Sequence, residues 1–210
     1  MKTLANIAAA LALLAGTHLA SAQPAAPSAA PNPVVAKTAS AVFAGGCFWC
    51  TESDFEKLPG VLSAESGYTG GTTTNPSYEA VSAGGTGHTE AVRVVYDPSK
   101  VSYPALVEYF WRTIDPTVKD RQFCDVGSQY RSAIFYGDAA QKATIDASKA
   151  AILKAGVVKQ ILTQVAPAST FYPAEEYHQD YYKKNPIRYK YYRHNCGRDQ
   201  RLEQVWGKGH

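Results

Sequence analysis

Six consecutive residues carry a nucleophile, an activating field and an apolar wall: Gly45-Gly46-Cys47-Phe48-Trp49-Cys50. A cysteine just after a Gly-Gly turn, at the start of a helix, sits where backbone N–H groups favour negative charge, which pushes a thiol toward the reactive thiolate. Phe48 and Trp49 are costly to leave in water and suited to lining a small apolar pocket. Cys50, three residues on, completes a CxxC. Taken alone, the stretch equally suits a structural disulfide in an aromatic core.

Other residues could join such chemistry. In Gly87-His88-Thr89-Glu90-Ala91-Val92, Glu90 stands inside an otherwise apolar strand. A carboxylate there is expensive to bury charged, so it must be paired, kept protonated as a proton donor, or turned to water on an edge strand. Asp125 follows Cys124 on a Gly/Ser loop before a strand, where sites are built, although an Asp there also bonds its own turn. Tyr78 and Tyr130 are individually unremarkable in a chain with 14 tyrosines. Glu175, Glu176, His178 and Asp180 offer ligand types at helical spacing. No paired CxxC or HxxxH frame accompanies them, so no metal is expected.

The elements that must position these residues are legible as a coarse pattern. Residues 41–44 read as a strand, 47–57 as a helix stopped by Leu58-Pro59-Gly60, and 61–68 as a strand. Residues 70–78 form a Gly/Thr/Pro loop, unusually long unless it does something. Residues 89–96 and 131–136 read as strands, and 160–165 as another. Ser102 caps a helix with Leu106, Val107, Phe110, Trp111 and Ile114 at helical spacing, and Asp138 caps an Ala-rich helix ending near Gly156. Past residue 171 the chain is dense in Tyr and poor in aliphatics, and reads as a long irregular tail. The expected fold is a single α/β (α+β two-layer) domain with a mixed sheet flanked by helices.

Before this domain, Lys2, the apolar run 7–15 and Ala20-Ser21-Ala22 have the form of a cleaved leader over residues 1–22. Residues 23–40, rich in Pro and Ala, cannot build a core and read as a disordered linker. Residues 41–210 suffice for one buried domain. The expectation is an exported protein, periplasmic or secreted, with no membrane span. The formal net charge is +3; the basic residues are scattered outside 183–201, so no nucleic-acid partner is expected.

Together the segments resemble the A type of peptide methionine sulfoxide reductase. The resemblance rests on Gly46-Cys47-Phe48-Trp49, Gly67-Tyr68-Thr69-Gly70-Gly71, Asn75-Pro76-Ser77-Tyr78 and Gly87-His88-Thr89-Glu90-Ala91-Val92. It continues through Phe110-Trp111, Asp115-Pro116, residues 125–132, Glu176-Tyr177-His178-Gln179 and Lys184-Asn185-Pro186. It implies reduction of methionine S-sulfoxide, free or in proteins, as a repair of oxidative damage. The nucleophile falls on Cys47, the substrate pocket on Phe48 and Trp49, the buried acid on Glu90, the hydrogen-bonding tyrosines on Tyr78 and Tyr130, and the loop acid on Asp125. Cys47 would become a sulfenic acid, resolved by a second cysteine to a disulfide that an external, thioredoxin-like dithiol reduces. No prosthetic cofactor is implied, and a monomer is expected.

Three positions depart from the family. Cys50 stands where many relatives have a small non-thiol residue, Ile114 stands where His is usual, and residues 193–201 replace a Gly-rich tail bearing cysteine. The favoured resolving thiol is Cys196, flanked by Arg193, His194 and Arg198, through a Cys47–Cys196 disulfide. Cys50 is its close competitor or relay. Rival readings are a thioredoxin-like oxidoreductase, which leaves Glu90 and Asp125 idle, and a secreted binding domain with two structural disulfides.

Overall fold

The computed structural model describes residues 37–209. The leader expected at 1–22, and the linker up to residue 36, lie outside the described residues. The first strand, β1 (Ala39–Gly45), takes up the last two residues read as linker. The helix α1 (Phe48–Phe55) follows, then β2 (Val61–Thr69), the short helix α2 (Tyr78–Ala83), β3 (Thr89–Tyr96) and α3 (Tyr103–Arg112). A two-stranded ribbon, β4 (Arg121–Gln122) and β5 (Asp125–Val126), leads through a 3-10 turn at Ser128–Tyr130 into β6 (Ser132–Tyr136). The helix α4 (Ala139–Lys154), β7 (Gln164–Pro167) and β8 (Tyr172–Pro173) complete the layered part.

The main sheet has the order β7-β6-β1-β3-β2-β8. Its pairs are antiparallel except β6–β7, which α4 connects as a parallel crossover. This is the mixed α/β architecture expected. Alternation decides what each strand buries. Phe43, Tyr68, Val92, Val94 and Ile134 face the helices, where Phe43 stacks on Phe55 and Phe110 at 4.8 and 5.0 Å. Each such aromatic contributes roughly 1.5–3 kcal/mol of burial. The opposite face carries a thinner cluster of Ala44, Ala91, Ala133 and Phe135. Ile114 is fully buried in the core.

The C-terminal stretch differs from the irregular tail that its composition suggests. It forms α5 (Tyr181–Lys184), α6 (Pro186–Asn195) and α7 (Arg198–Trp206). These helices lack an aliphatic stripe because they dock through aromatic and ionic contacts. Arg198 is buried and donates to the Gly45 and Thr113 carbonyls, Trp206 donates to the Ile114 carbonyl, and Arg201 pairs with Asp115. Arg193 bridges Asp54 and Asp199. The tail thereby returns to the edge of β1 and the start of α1, where the cysteines lie.

Candidate active site

Cys47 occupies the N-cap of α1, and its carbonyl accepts from the Cys50 and Thr51 amides. Gly46 before it has φ +84°, and a Cβ there would stand 2.5 Å from Gln122 Cβ. Only glycine meets both conditions. Gln122 is itself fixed, exchanging two hydrogen bonds with the Asp115 backbone. The turn that presents the nucleophile is thus packed against the ribbon that carries Asp125.

Glu90 lies on β3, an interior strand between β1 and β2, and is buried. The alternative of an edge-strand carboxylate in water is thereby removed. Its Oε2 accepts the Phe48 amide at 2.9 Å, a free donor of the first helical turn. Burial pushes its carboxyl up to about 8 even though that bond favours the charged form, with Asp125 and Cys50 adding to the rise. At pH 7 Glu90 is therefore mostly a neutral acid.

The Cys47 thiol departs from the dipole argument. Burial, the Cys50 side chain and the charges of Glu90 and Asp125 push it well above its ordinary value. The helix N-terminus is spent on Glu90 instead. Cys50 goes the other way, to about 7, because the Cys47 thiol donates to it and the Arg198 and Arg193 guanidiniums face it, against the opposing effect of burial. Of the two thiols, Cys47 is the one that keeps its proton more firmly.

These residues share one cavity of about 80 Å³, lined by Cys47, Phe48, Trp49, Tyr78, Glu90, Asp125, Tyr130 and Tyr192. The seven residues expected from the sequence for nucleophile, acids, hydroxyls and wall meet there. Burial pushes the hydroxyls of Tyr78 and Tyr130 up, the latter beyond the range of any ordinary phenol, so both remain donors. Trp49 stacks on Tyr181 at 3.7 Å and donates from Nε1 to His178 Nδ1 at 3.0 Å. Burial lowers the His178 pKa, keeping the ring neutral. Glu175 accepts from the Tyr78 amide and the Tyr68 hydroxyl, both at 2.8 Å, and anchors the loop that carries Tyr78.

A model of the family described as peptide methionine sulfoxide reductase matches residues 39–210. The chain belongs to that family. Peptide methionine sulfoxide reductase MsrA 2 of Caulobacter vibrioides is 51% identical over 204 residues, covering 95% of this chain and 95% of its own. The MsrA of Bacillus licheniformis is 50% identical over 171 residues, 81% of this chain and 94% of its own. Among solved structures, reduced Mxr1 from Saccharomyces cerevisiae superposes with a TM-score of 0.68 at 33% identity, covering 73% of this chain and 88% of that one. Methionine sulfoxide reductase A of Corynebacterium diphtheriae gives 0.64 at 35% identity, covering 75% and 78%.

Within this family member the cysteines are arranged differently from the pairing favoured on sequence grounds. Cys196 is bonded to Cys124, with Cα atoms 4.9 Å apart, while Cys47 and Cys50 are free and buried. Arg193 and Arg198 turn to Asp54 and the backbone instead of flanking Cys196. The thiol on the same helical turn as Cys47 is Cys50, whose amide donates to the Cys47 carbonyl at 3.1 Å. Sequence reasoning also missed Tyr192, His178 and Tyr181 as parts of the site. A signal was available: Tyr189, Tyr192, Arg193 and Cys196 recur at i, i+3, i+4 and i+7, a helical stripe once tyrosine counts as a packing residue.

Proposed function

We infer that the chain reduces methionine S-sulfoxide, free or in proteins, to methionine by thiol chemistry at Cys47. The observation that carries this is a thiol, a neutral carboxylic acid and phenolic donors facing one small cavity with an aromatic wall. Such a cavity takes the end of one side chain. Phe48 and Trp49 cover the methyl group, and the sulfoxide oxygen lies toward Glu90, Tyr78 and Tyr130. As Cys47 sulfur attacks the sulfoxide sulfur, its proton passes to the Cys50 sulfur and Glu90 gives its own to the departing oxygen. The hydroxyl so formed passes from the methionine sulfur to the Cys47 sulfur as the transient S–S bond breaks; methionine leaves, reduced by two electrons, and Cys47 is left as sulfenic acid, two electrons more oxidised.

Cys50 then attacks the Cys47 sulfur; its proton leaves with the hydroxyl as water, and a Cys47–Cys50 disulfide remains. Contact within one helical turn supports Cys50 as the resolving thiol ahead of Cys196, which is already paired. An external dithiol of thioredoxin type supplies two electrons and two protons to restore the pair. The leader-like residues 1–22 support export to a periplasmic or extracellular setting, where methionine oxidation is frequent and disulfides persist. No helix among the described residues is long and apolar enough to cross a membrane.

The test is turnover of the two resolved sulfoxide epimers of methionine with dithiothreitol, followed as methionine released. The S epimer is reduced and the R epimer is not, and Cys47→Ser abolishes the reaction. Substantial turnover by Cys47→Ser removes the assignment.

A further inference from the structure

Two features of the cavity are unused in this chemistry. One is Tyr192, which reaches it from α6, and the other is the disulfide beside it. The Tyr192 hydroxyl donates to Asp125 Oδ2 at 2.5 Å, and Tyr192 lines the same cavity as Cys47, close enough for the two side chains to interact. It lies 4.0 Å from Cys196 Sγ, which in turn lies 3.9 Å from Asp125 Oδ2. One phenol thus stands between the nucleophilic sulfur and the disulfide, with two acceptors for one proton.

The surroundings of Cys47 give that proton a task. The groups facing it are Cys50 from α1, Glu90 from β3, Asp125 from β5, Tyr78 from α2, Tyr130 from the 3-10 turn and Tyr192 from α6. Cys50 and Asp125 oppose a thiolate, Glu90 keeps its proton for the sulfoxide oxygen, and the two guanidiniums nearby, Arg193 and Arg198, act on Cys50. Stabilisation of negative charge on Cys47 falls to the hydroxyl donors of the cavity, and Tyr192 is the one whose proton is held on Asp125 beside the disulfide. Burial, Cys47 and Asp125 together push the Tyr192 ionisation far up, so it stays a donor at any working pH.

Its placement is tied at both ends. Cys124 immediately precedes Asp125, and Cys196 follows Tyr192 by one helical turn. The Cys124–Cys196 bond therefore joins the two segments whose side chains share the Tyr192–Asp125 hydrogen bond. We propose that Tyr192 is a further catalytic residue: its hydroxyl, parked on Asp125 at rest, turns its proton onto the Cys47 sulfur as negative charge develops, and the Cys124–Cys196 disulfide seats it for that turn. The disulfide then governs the sulfoxide-reducing step without exchanging electrons in it. This rests on the reading of Cys47 as the reductase nucleophile.

The experiment uses the full domain in a Cys50→Ser background, so that Cys47 is the single reactive thiol in the cavity. Two readouts are taken: the pH profile of iodoacetamide alkylation at Cys47 by mass spectrometry, and the single-turnover rate of methionine release. Tyr192→Phe keeps the ring that packs edge-on against Trp49 at 5.8 Å. It is expected to move the alkylation midpoint up by about one pH unit and to slow methionine release roughly 10- to 100-fold, the scale of losing one preorganised donor. The pair Cys124→Ser with Cys196→Ser is expected to move both readouts in the same direction by a smaller factor. An unchanged profile and rate in Tyr192→Phe would show that Tyr192 only packs. An unchanged first step in the double serine variant, with loss of turnover supported by a thioredoxin-type donor when Cys50 is restored, would make the disulfide an electron exit and overturn the seating role. Alkylation needs no sulfoxide, so failure of the proposed function, seen as no methionine release by the unmodified chain, stays separate from failure of this one.

Discussion

Replacing Glu90 with glutamine should make the protein more stable and much less active. Glu90 is fully buried with its carboxyl raised from the ordinary 4.5 to about 8. A group raised in this way contributes stability that is fully present below 4.5 and is lost as pH climbs toward 8, because the folded state must keep a proton that the unfolded chain releases. At pH 7 the protein stands 2.5 pH units above the ordinary value of 4.5, and at about 1.4 kcal/mol per unit the loss comes to about 3 kcal/mol. Glu90→Gln is neutral at every pH and keeps an oxygen for the Phe48 amide, so it escapes that loss. Its extra amide donor costs back about 1 kcal/mol if left unpaired. The net gain of about 2 kcal/mol corresponds to roughly 4–8 °C in a domain of this size. Thermal unfolding measured at pH 5 and pH 8 should show the variant gaining on the wild type between the two. In parallel, single-turnover methionine release should fall roughly 10²–10⁴-fold, the loss of a general acid. A variant that loses stability from pH 5 to pH 8 just as the wild type does would refute the neutral-acid argument, whatever its activity.

Cys50→Ser should release one equivalent of methionine with a thioredoxin-type donor and then stop, with Cys47 trapped as sulfenic acid and labelled by dimedone; sustained turnover here, with arrest in Cys196→Ser, would return the resolving role to the tail. Glu175 is held below the usual carboxylate range, its burial outweighed by bonds from the Tyr78 amide, its own amide and the Tyr68 hydroxyl. Its contribution to stability is present above that range and lost as pH falls through the depressed value, so Glu175→Gln should flatten the acid side of a Tm-versus-pH curve and raise KM through Tyr78. Arg198→Met leaves two buried carbonyls and Asp54 short of a partner, and should cost about 3–5 kcal/mol in chemical denaturation. It should also slow Cys50 alkylation at pH 7, and unchanged alkylation would show that Arg198 is structural only.

Much of the site was legible because its members break local rules. A glutamate among the apolar residues of β3 and a Gly-Gly before an aromatic CxxC each announce a constraint that packing alone does not impose. The four strands nearest the centre of the sheet and the helices after Ser102 and Asp138 follow from alternation and from those caps, both of which bond the helix as expected, whereas the short α2 and the β4–β5 ribbon carry too few residues for any periodicity to show. The tail was misread because aliphatic periodicity is blind to helices that dock by tyrosine rings and buried guanidiniums. The ionisation of Cys47 was misread because the dipole at a helix start is a local quantity, whereas burial and a neighbouring thiol are tertiary ones.

The docking of α5–α7 also bears on how the molecule comes into being. Trp49 meets His178 across 129 positions of chain, and Gly45 meets Arg198 across 153. The cavity wall is thus finished by segments far along the chain from the cysteines, and closing contacts of such long separation form late. Until then Cys47 and Cys50 are open to any oxidant or passing thiol, and a chain cut short before α6 would expose both without Tyr192, Arg193 or Arg198. The arrangement ties reactivity to assembly: the thiols acquire their tuned protonation only when α6 and α7 have docked to enclose them.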